Sequence, residues 1–108
     1  IIEEIENANM EILRNLSDKI KAKTKSAFVF LESTEGDKVN MILTGTKDLV
    51  SNGLNASEII KPAAKIVNGS GGGRPDFAQA GGKDPSKLSK VFEFIEKSAT
   101  DIIGGIAK

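Results

Sequence analysis

Between residues 2 and 20 the apolar positions Ile2, Ile5, Ile12, Leu13, Leu16 and Ile20 recur at helical intervals, with Glu, Asn, Arg and Lys between them. That spacing predicts an amphipathic helix over residues 1–22. Its acids come early and its lysines late, which suits the helix dipole. Two roles fit such a helix: it covers a sheet of its own domain, as most do, or it is the interacting end of a long connector. The period then changes. Ser-Ala-Phe-Val-Phe-Leu-Glu at 26–32 is rich in aromatic and β-branched residues and predicts a strand. Ser33, Thr34, Glu35, Gly36 and Asp37 are turn residues, and Lys-Val-Asn-Met-Ile-Leu-Thr at 38–44 predicts a second strand. The short polar link makes the pair an antiparallel hairpin. Phe28 and Phe30 share one of its faces. Exposed, they would offer a base-stacking surface. With only five aromatic residues in the chain, burial is the expected fate.

Residues 45–54 are interrupted by glycine, with a short helical turn expected around 47–51. Asn55 or Ser57 can cap a helix running to about Val67, with Ile59, Ile60, Ala63, Ala64 and Val67 as its apolar stripe. Pro62 lies inside this pattern, so the helix either restarts there or continues with a bend, and the bend is expected. Asn68-Gly69 stops it. A strand is expected over 76–80, with Phe77 and Gln79 on one face and Ala78 and Ala80 on the other. Asp84 as N-cap and Pro85 at the first helical position then open a last helix, expected to end at Gly104-Gly105. Leu88, Phe92, Ile95, Ala99, Ile102 and Ile106 form a heptad seam in it, extended by Val91 and Ile103. The seam fits a dimer contact or packing against the first helix and the sheet. Two heptads are short for a free-standing coiled coil, which favours the second. The expected fold is α/β of the α+β-like kind: a small mixed sheet flanked by helices, one long helix at each end of the chain. Residues 1–24 would form a connector helix and 25–108 a globular domain.

Composition narrows the chemistry. There is no Cys and no His, which excludes disulfides, thiolate chemistry, serine triads and histidine metal sites. Lys plus Arg equals Asp plus Glu at 15 each, unlike a strongly basic nucleic-acid binder. The charges are unevenly spread, however. Lys21, Lys23 and Lys25 form a run that is either phosphate-contacting or a solvated helix end. Lys61, Lys65, Arg74, Lys83, Lys87 and Lys90 outnumber Asp76 and Asp84 over 61–90, so a neutral domain can still present a basic face. No apolar run approaches the roughly 20 residues of a membrane span, and no secretory leader is visible. Cytoplasmic residence is the expectation. The chain opens without Met in the middle of an apolar pattern and reads as a piece of a longer protein. The acids Glu32, Glu35, Asp37, Asp76 and Asp84 are scattered among turns and strand ends, so catalysis by this chain alone is not expected.

The most concentrated backbone chemistry is Gly-Ser-Gly-Gly-Gly-Arg-Pro-Asp-Phe-Ala-Gln-Ala-Gly-Gly-Lys-Asp-Pro at 69–85. Consecutive glycines let backbone N–H groups converge into an anion nest. Arg74 offers a planar fork for phosphate, and Lys83 follows the second glycine pair. In a hairpin-like path the two cations would face one anionic ligand. The bland alternative is a flexible loop chosen for its turns. The stretch is neither a Walker loop nor a dinucleotide fingerprint: it follows a helix rather than a strand, and Lys83 precedes Asp84.

The run Gly71-Gly72-Gly73-Arg74-Pro75-Asp76-Phe77-Ala78-Gln79-Ala80-Gly81-Gly82-Lys83-Asp84 resembles the signature of the DHHA1 domain, in the form carried at the C-terminus of alanyl-tRNA synthetases. The resemblance covers roughly residues 25–103, and Pro62 is less typical of it. It implies a non-catalytic α/β nucleic-acid-binding domain that holds tRNA-Ala, supports charging with alanine and clearance of mischarged tRNA, and contributes to a homodimer in some members. ATP and zinc would belong to other domains of the parent enzyme, with no cofactor or metal in this chain. Two alternatives stay open: a dimerisation module of the same enzyme, and the substrate-binding half of a DHH-type phosphoesterase, where His often stands at the position of Arg74. Residues and resemblance together make Gly71, Gly72, Gly73, Arg74 and Lys83 the expected phosphate or base contacts, with Lys65 and Lys87 behind them.

Overall fold

The computed structural model describes residues 2–5 and 8–106, with side chains as far as Gly104. Five strands form one mixed sheet in the order β1-β2-β3-β5-β4: β1 (Ile2–Glu4), β2 (Phe28–Glu35), β3 (Lys38–Gly45), β4 (Ser70–Gly73) and β5 (Phe77–Gly82). The β1–β2 pair is parallel and the other three pairs are antiparallel. The expected hairpin is present. Its register runs from Glu35↔Lys38 to Phe28↔Gly45. Gly36 at φ 61° makes the two-residue link, tighter than the expected turn, because only the first of its two residues needs the left-handed region.

Strand alternation gives the sheet two apolar faces. Phe28, Phe30, Val39, Met41, Leu43, Ala78 and Ala80 line one. It is covered by α2 (Lys47–Ser51), α3 (Ala56–Ile66) and α4 (Leu88–Ile106). Val29, Leu31 and Ile42 line the other, under α1 (Met10–Ala22) through Leu13 and Leu16. Phe28 and Phe30 are therefore core residues. The Phe30 ring meets Phe92 edge-on, with centroids 5.7 Å apart at 87°, a favoured aromatic geometry.

Several expectations are corrected. The first helix does not span 1–22: Ile2, Glu3 and Glu4 pair with Phe30, Leu31 and Glu32 instead. The helix starts where Asn9 caps it, its side chain accepting a hydrogen bond from the Ile12 amide at 2.9 Å. Spacing could not separate the two outcomes, since Ile2 and Ile5 fit either element. The heptad seam is buried at Val91, Ile95 and Ala99, as expected, but against α3 and the sheet. The first helix lies on the opposite face and does not meet it. Gly104 and Gly105 do not end α4, which continues to Ile106. By contrast, Asn55 caps α3 and Asp84 caps a 3₁₀ turn (Pro85–Lys87) that leads into α4. Pro62 sits inside an unbroken α3 on its exposed side, where the carbonyl it leaves unpaired can reach water.

Candidate nucleic-acid interface

The glycine run is neither a nest nor a loop. Ser70, Gly71, Gly72 and Gly73 are extended and pair with Gly81, Ala80, Gln79 and Ala78 of β5. Sequence reasoning missed this because glycine is depleted from strands. The structural reason lies in what a side chain would strike. A Cβ at Gly69 would fall 1.7 Å from the Gly81 carbonyl oxygen, and one at Gly71 would fall 2.3 Å from the Ala80 Cβ. The strand lies so close to its neighbour that alternate positions have room for hydrogen only.

Both ends of the β4–β5 ribbon are pinned to α3. At one end Pro75 and Asp76 make the turn. The Arg74 amide donates to the Phe77 carbonyl at 2.8 Å, and the Phe77 amide donates back at 3.3 Å. The Pro75 carbonyl accepts from the Ala56 amide at 2.9 Å, next to the α3 N-cap. The Asp76 carbonyl accepts from the Thr44 hydroxyl at 2.7 Å. At the other end the Lys83 and Asp84 amides both donate to the Val67 carbonyl, at 2.8 and 3.1 Å. Asn68 takes the left-handed conformation at φ 56°, so the Gly69 amide can close on the Ala64 carbonyl at 2.8 Å.

This pinning makes β4 a fixed outer edge. Arg74 and Phe77 exchange both backbone hydrogen bonds. In an antiparallel ladder such pairs alternate with pairs that do not bond. The N–H and C=O of Gly73 and Gly71 therefore point away from β5. Both residues are exposed. The edge offers donors and acceptors with no side chain in front of them.

Arg74 and Lys83 do not face one ligand. They lie at opposite ends of the ribbon, separated by roughly 20 Å along the strand direction at about 3.4 Å per residue. Arg74 is three-quarters exposed and sits 3.4 Å from Asp76 in a surface ion pair, an arrangement worth little to stability. Lys83 lines an open cleft of about 700 Å³ together with Asp37, Lys38, Gly69, Ser70, Gly81 and Gly82. That volume suits a nucleotide-sized ligand. Lys65 is exposed in the last turn of α3 and Lys87 in the 3₁₀ turn; neither lines the cleft. The Lys87 charge acts on Asp84, whose carboxyl is held below its usual range mainly by the Ser86 hydroxyl.

Two cations were not among the expected contacts. Lys38 joins the cleft from the start of β3, through a long-range pairing that no local pattern displays. Lys61 lies with its Cε 3.5 Å from where a Gly72 side chain would begin, so it stands over the middle of β4. Its signal was available: Lys61 precedes Lys65 by one helical turn. The glycine edge is thus bracketed by Arg74, Lys61, and the Lys38–Lys83 pair. Among the described residues no group of three His, Cys, Asp or Glu side chains could hold a metal. No described helix is long and apolar enough to cross a membrane.

The model of the DHHA1 domain matches residues 1–101. The chain is 44% identical over 97 residues to an alanine–tRNA ligase of Alkaliphilus oremlandii, covering 90% of this chain and 11% of that protein. It is 54% identical over 85 residues to one of Pseudothermotoga lettingae, covering 79% of this chain and 10% of that protein. The chain thus spans about a tenth of the length of these curated relatives. A crystal structure of the C-Ala domain from Aquifex aeolicus alanyl-tRNA synthetase superposes with a TM-score of 0.81 at 36% identity, covering 89% of this chain and 86% of that one. The overall fold is therefore shared with that domain, and the chain belongs to the DHHA1 domain family, in its C-Ala form.

Proposed function

We propose that this chain is the tRNA-binding C-terminal domain of an alanine–tRNA ligase. In this reading it is non-catalytic and holds tRNA-Ala while other domains of the parent, with their ATP and zinc, charge the tRNA and clear mischarged products in the cytoplasm. The observation that carries the reading is the side-chain-free β4 edge bracketed by Lys38, Lys61, Arg74 and Lys83. Exposed backbone donors and acceptors can meet phosphate oxygens, base edges and 2′-hydroxyls, and the cations supply the sequence-independent attraction to phosphate. The names of the relatives favour the ligase over a phosphoesterase as the parent. A domain with 15 cations and 15 anions binds modestly when isolated. Tethering to other tRNA-binding domains raises its effective concentration.

Filter binding of a tRNA-Ala transcript across a salt series tests this. Replacing Lys38, Lys83 and Arg74 together with Ala is expected to weaken binding at low salt at least tenfold. The slope of log K against log salt should shrink by about 0.7–0.9 for each phosphate no longer neutralised. A folded triple variant that binds as well as the parent chain would sink the proposal, as would a parent chain that does not bind at low salt.

A second reading has one observation behind it. Ile103 is 49% exposed, beside a shallow hollow lined by Ile2, Glu96, Ala99, Thr100 and Gly104. This apolar patch at the end of α4 fits contact with another domain of the parent or a second subunit.

A further inference from the structure

We infer that the flank of α1 and the outward face of β5 form a second RNA contact, distinct from the β4 edge and the Lys38–Lys83 cleft. The inference rests on the tRNA-binding reading and adds a part of the surface to it. Helix α1 packs over β2 and β3 through Leu13 and Leu16 and borders β5 along its side. On that side β5 presents Phe77 and Gln79, both half-buried, while Ala78 and Ala80 face the core.

Two α1 cations are held against this surface. The Arg14 Nη2 donates to the Gln79 Oε1 at 2.8 Å. The Lys21 Nζ donates to the Thr44 Oγ1 at 3.1 Å, and Thr44 lies directly across from Phe77. Arg14 and Lys21 are seven residues apart, two helical turns, so they share one side of α1 about 10 Å apart. Both are anchored by neutral acceptors. Among the described residues the ion pair Arg74–Asp76 is the one present, so neither α1 cation has a carboxylate partner. Arg14 keeps further guanidinium N–H groups and Lys21 two ammonium protons for a ligand. The acids nearby are Glu11 and Asp18, both exposed on α1 one turn to either side of Arg14, and Asp76, paired with Arg74.

Positioned cations outside any ion pair, beside an aromatic edge and an amide, fit a looped or single-stranded RNA segment. Arg14 and Lys21 would take phosphates, Gln79 a base edge, and Phe77 the face or edge of a base. An acidic peptide would use the cations alone.

The test is the salt-dependent binding of a tRNA-Ala transcript to the whole chain carrying Arg14→Gln and Lys21→Gln, with thermal melting as the fold check. The log–log salt slope is expected to shrink by about 1.4–1.8 when two phosphates go unneutralised, with affinity at low salt falling about tenfold. The exchanges Arg14→Lys and Lys21→Arg keep the charge and should retain the slope. Asp18→Asn, at an exposed position, should tighten binding two- to threefold, and it tests the inference even where the double variant does not fold. An unchanged slope in the folded double variant, or no gain from Asp18→Asn, overturns the inference. If Lys38→Ala with Lys83→Ala still weakens binding in either case, the tRNA-binding reading survives. Polyglutamate competing as well as RNA of equal charge overturns the inference in favour of an acidic protein partner. Absence of binding by the parent chain at low salt overturns inference and reading together.

Discussion

Replacing Gly71 with Ala is expected to lower the melting temperature by on the order of 10 °C, while the same change at Gly72 leaves it nearly unmoved. At Gly71 the added methyl would sit 2.3 Å from the Ala80 Cβ, 2.5 Å from the Gln79 carbonyl oxygen and 2.6 Å from the Ala80 Cα. Two of these three are backbone atoms of the adjacent strand, so no rotamer change relieves the contact. Either β4 leaves the sheet or β5 bends into the core. Overpacking of this kind costs about 1–3 kcal/mol and occasionally more, and each kcal/mol is worth roughly 4–8 °C in a domain of this size. At Gly72 the nearest atoms are the Lys61 Cε at 3.5 Å and the Ser57 Oγ at 3.9 Å, ordinary contact distances. A surface change of that sort stays within about 0.5 kcal/mol. Differential scanning calorimetry of the two variants decides the matter. Equal melting temperatures would show that β4 does not lie against β5 as described.

The second large effect concerns pH. Glu32 lies on β2, on the core face between Phe30 and Thr34, and is fully buried. Met41 is its partner on β3 and Glu4 its partner on β1. The Thr34 hydroxyl donates to one carboxyl oxygen at 2.9 Å, and the other oxygen has no partner. Burial first, and then the neighbouring Glu4 carboxyl, push the Glu32 pKa up from 4.5 to about 7, while Thr34 pulls it back in part. The folded chain therefore holds this proton more tightly than the unfolded one. Stability is unaffected by the group below about pH 4.5, falls as pH rises toward 7, and is flat above. At about 1.4 kcal/mol per unit, the loss is on the order of 3–4 kcal/mol. Glu32→Gln keeps an acceptor for Thr34 and carries no charge. It should melt with the parent chain near pH 4.5 and on the order of 10 °C above it at pH 8. A constant difference between the two chains across that range would contradict this role for Glu32.

Much of the molecule was legible locally. The hairpin of β2 and β3, the short α2, the Asn55 and Asp84 caps and the alternation of β5 all follow from period and turn chemistry within a few residues. What escaped was non-local. Strand β1 is three residues long and owes its existence to a free edge of β2, which lies more than twenty residues away. The Glu4–Glu32 juxtaposition escaped with it, because a helix over 1–22 would have placed Glu4 elsewhere. Strand β4 runs against glycine's local preference and exists because β5 accepts a chain without side chains at close range. The glycine-rich motif was recognisable as a site of backbone chemistry only in kind: its extended conformation and the roughly 20 Å between Arg74 and Lys83 follow from the hairpin. Lys38 reaches the cleft through the β3–β5 pairing, which brings Val39 opposite Gly82.

In the proposed function, RNA binds the β4–β5 side of the domain. Titration of the ¹⁵N-labelled chain with a tRNA-Ala transcript, followed by amide chemical shifts, tests it most directly. Binding at this side predicts shifts at Lys38, Ser70, Gly71, Gly73, Arg74 and Lys83, with the exposed stripe of Glu93, Glu96 and Lys97 on α4 unchanged. Shifts confined to α4, or a spectrum unmoved at low salt, would contradict it.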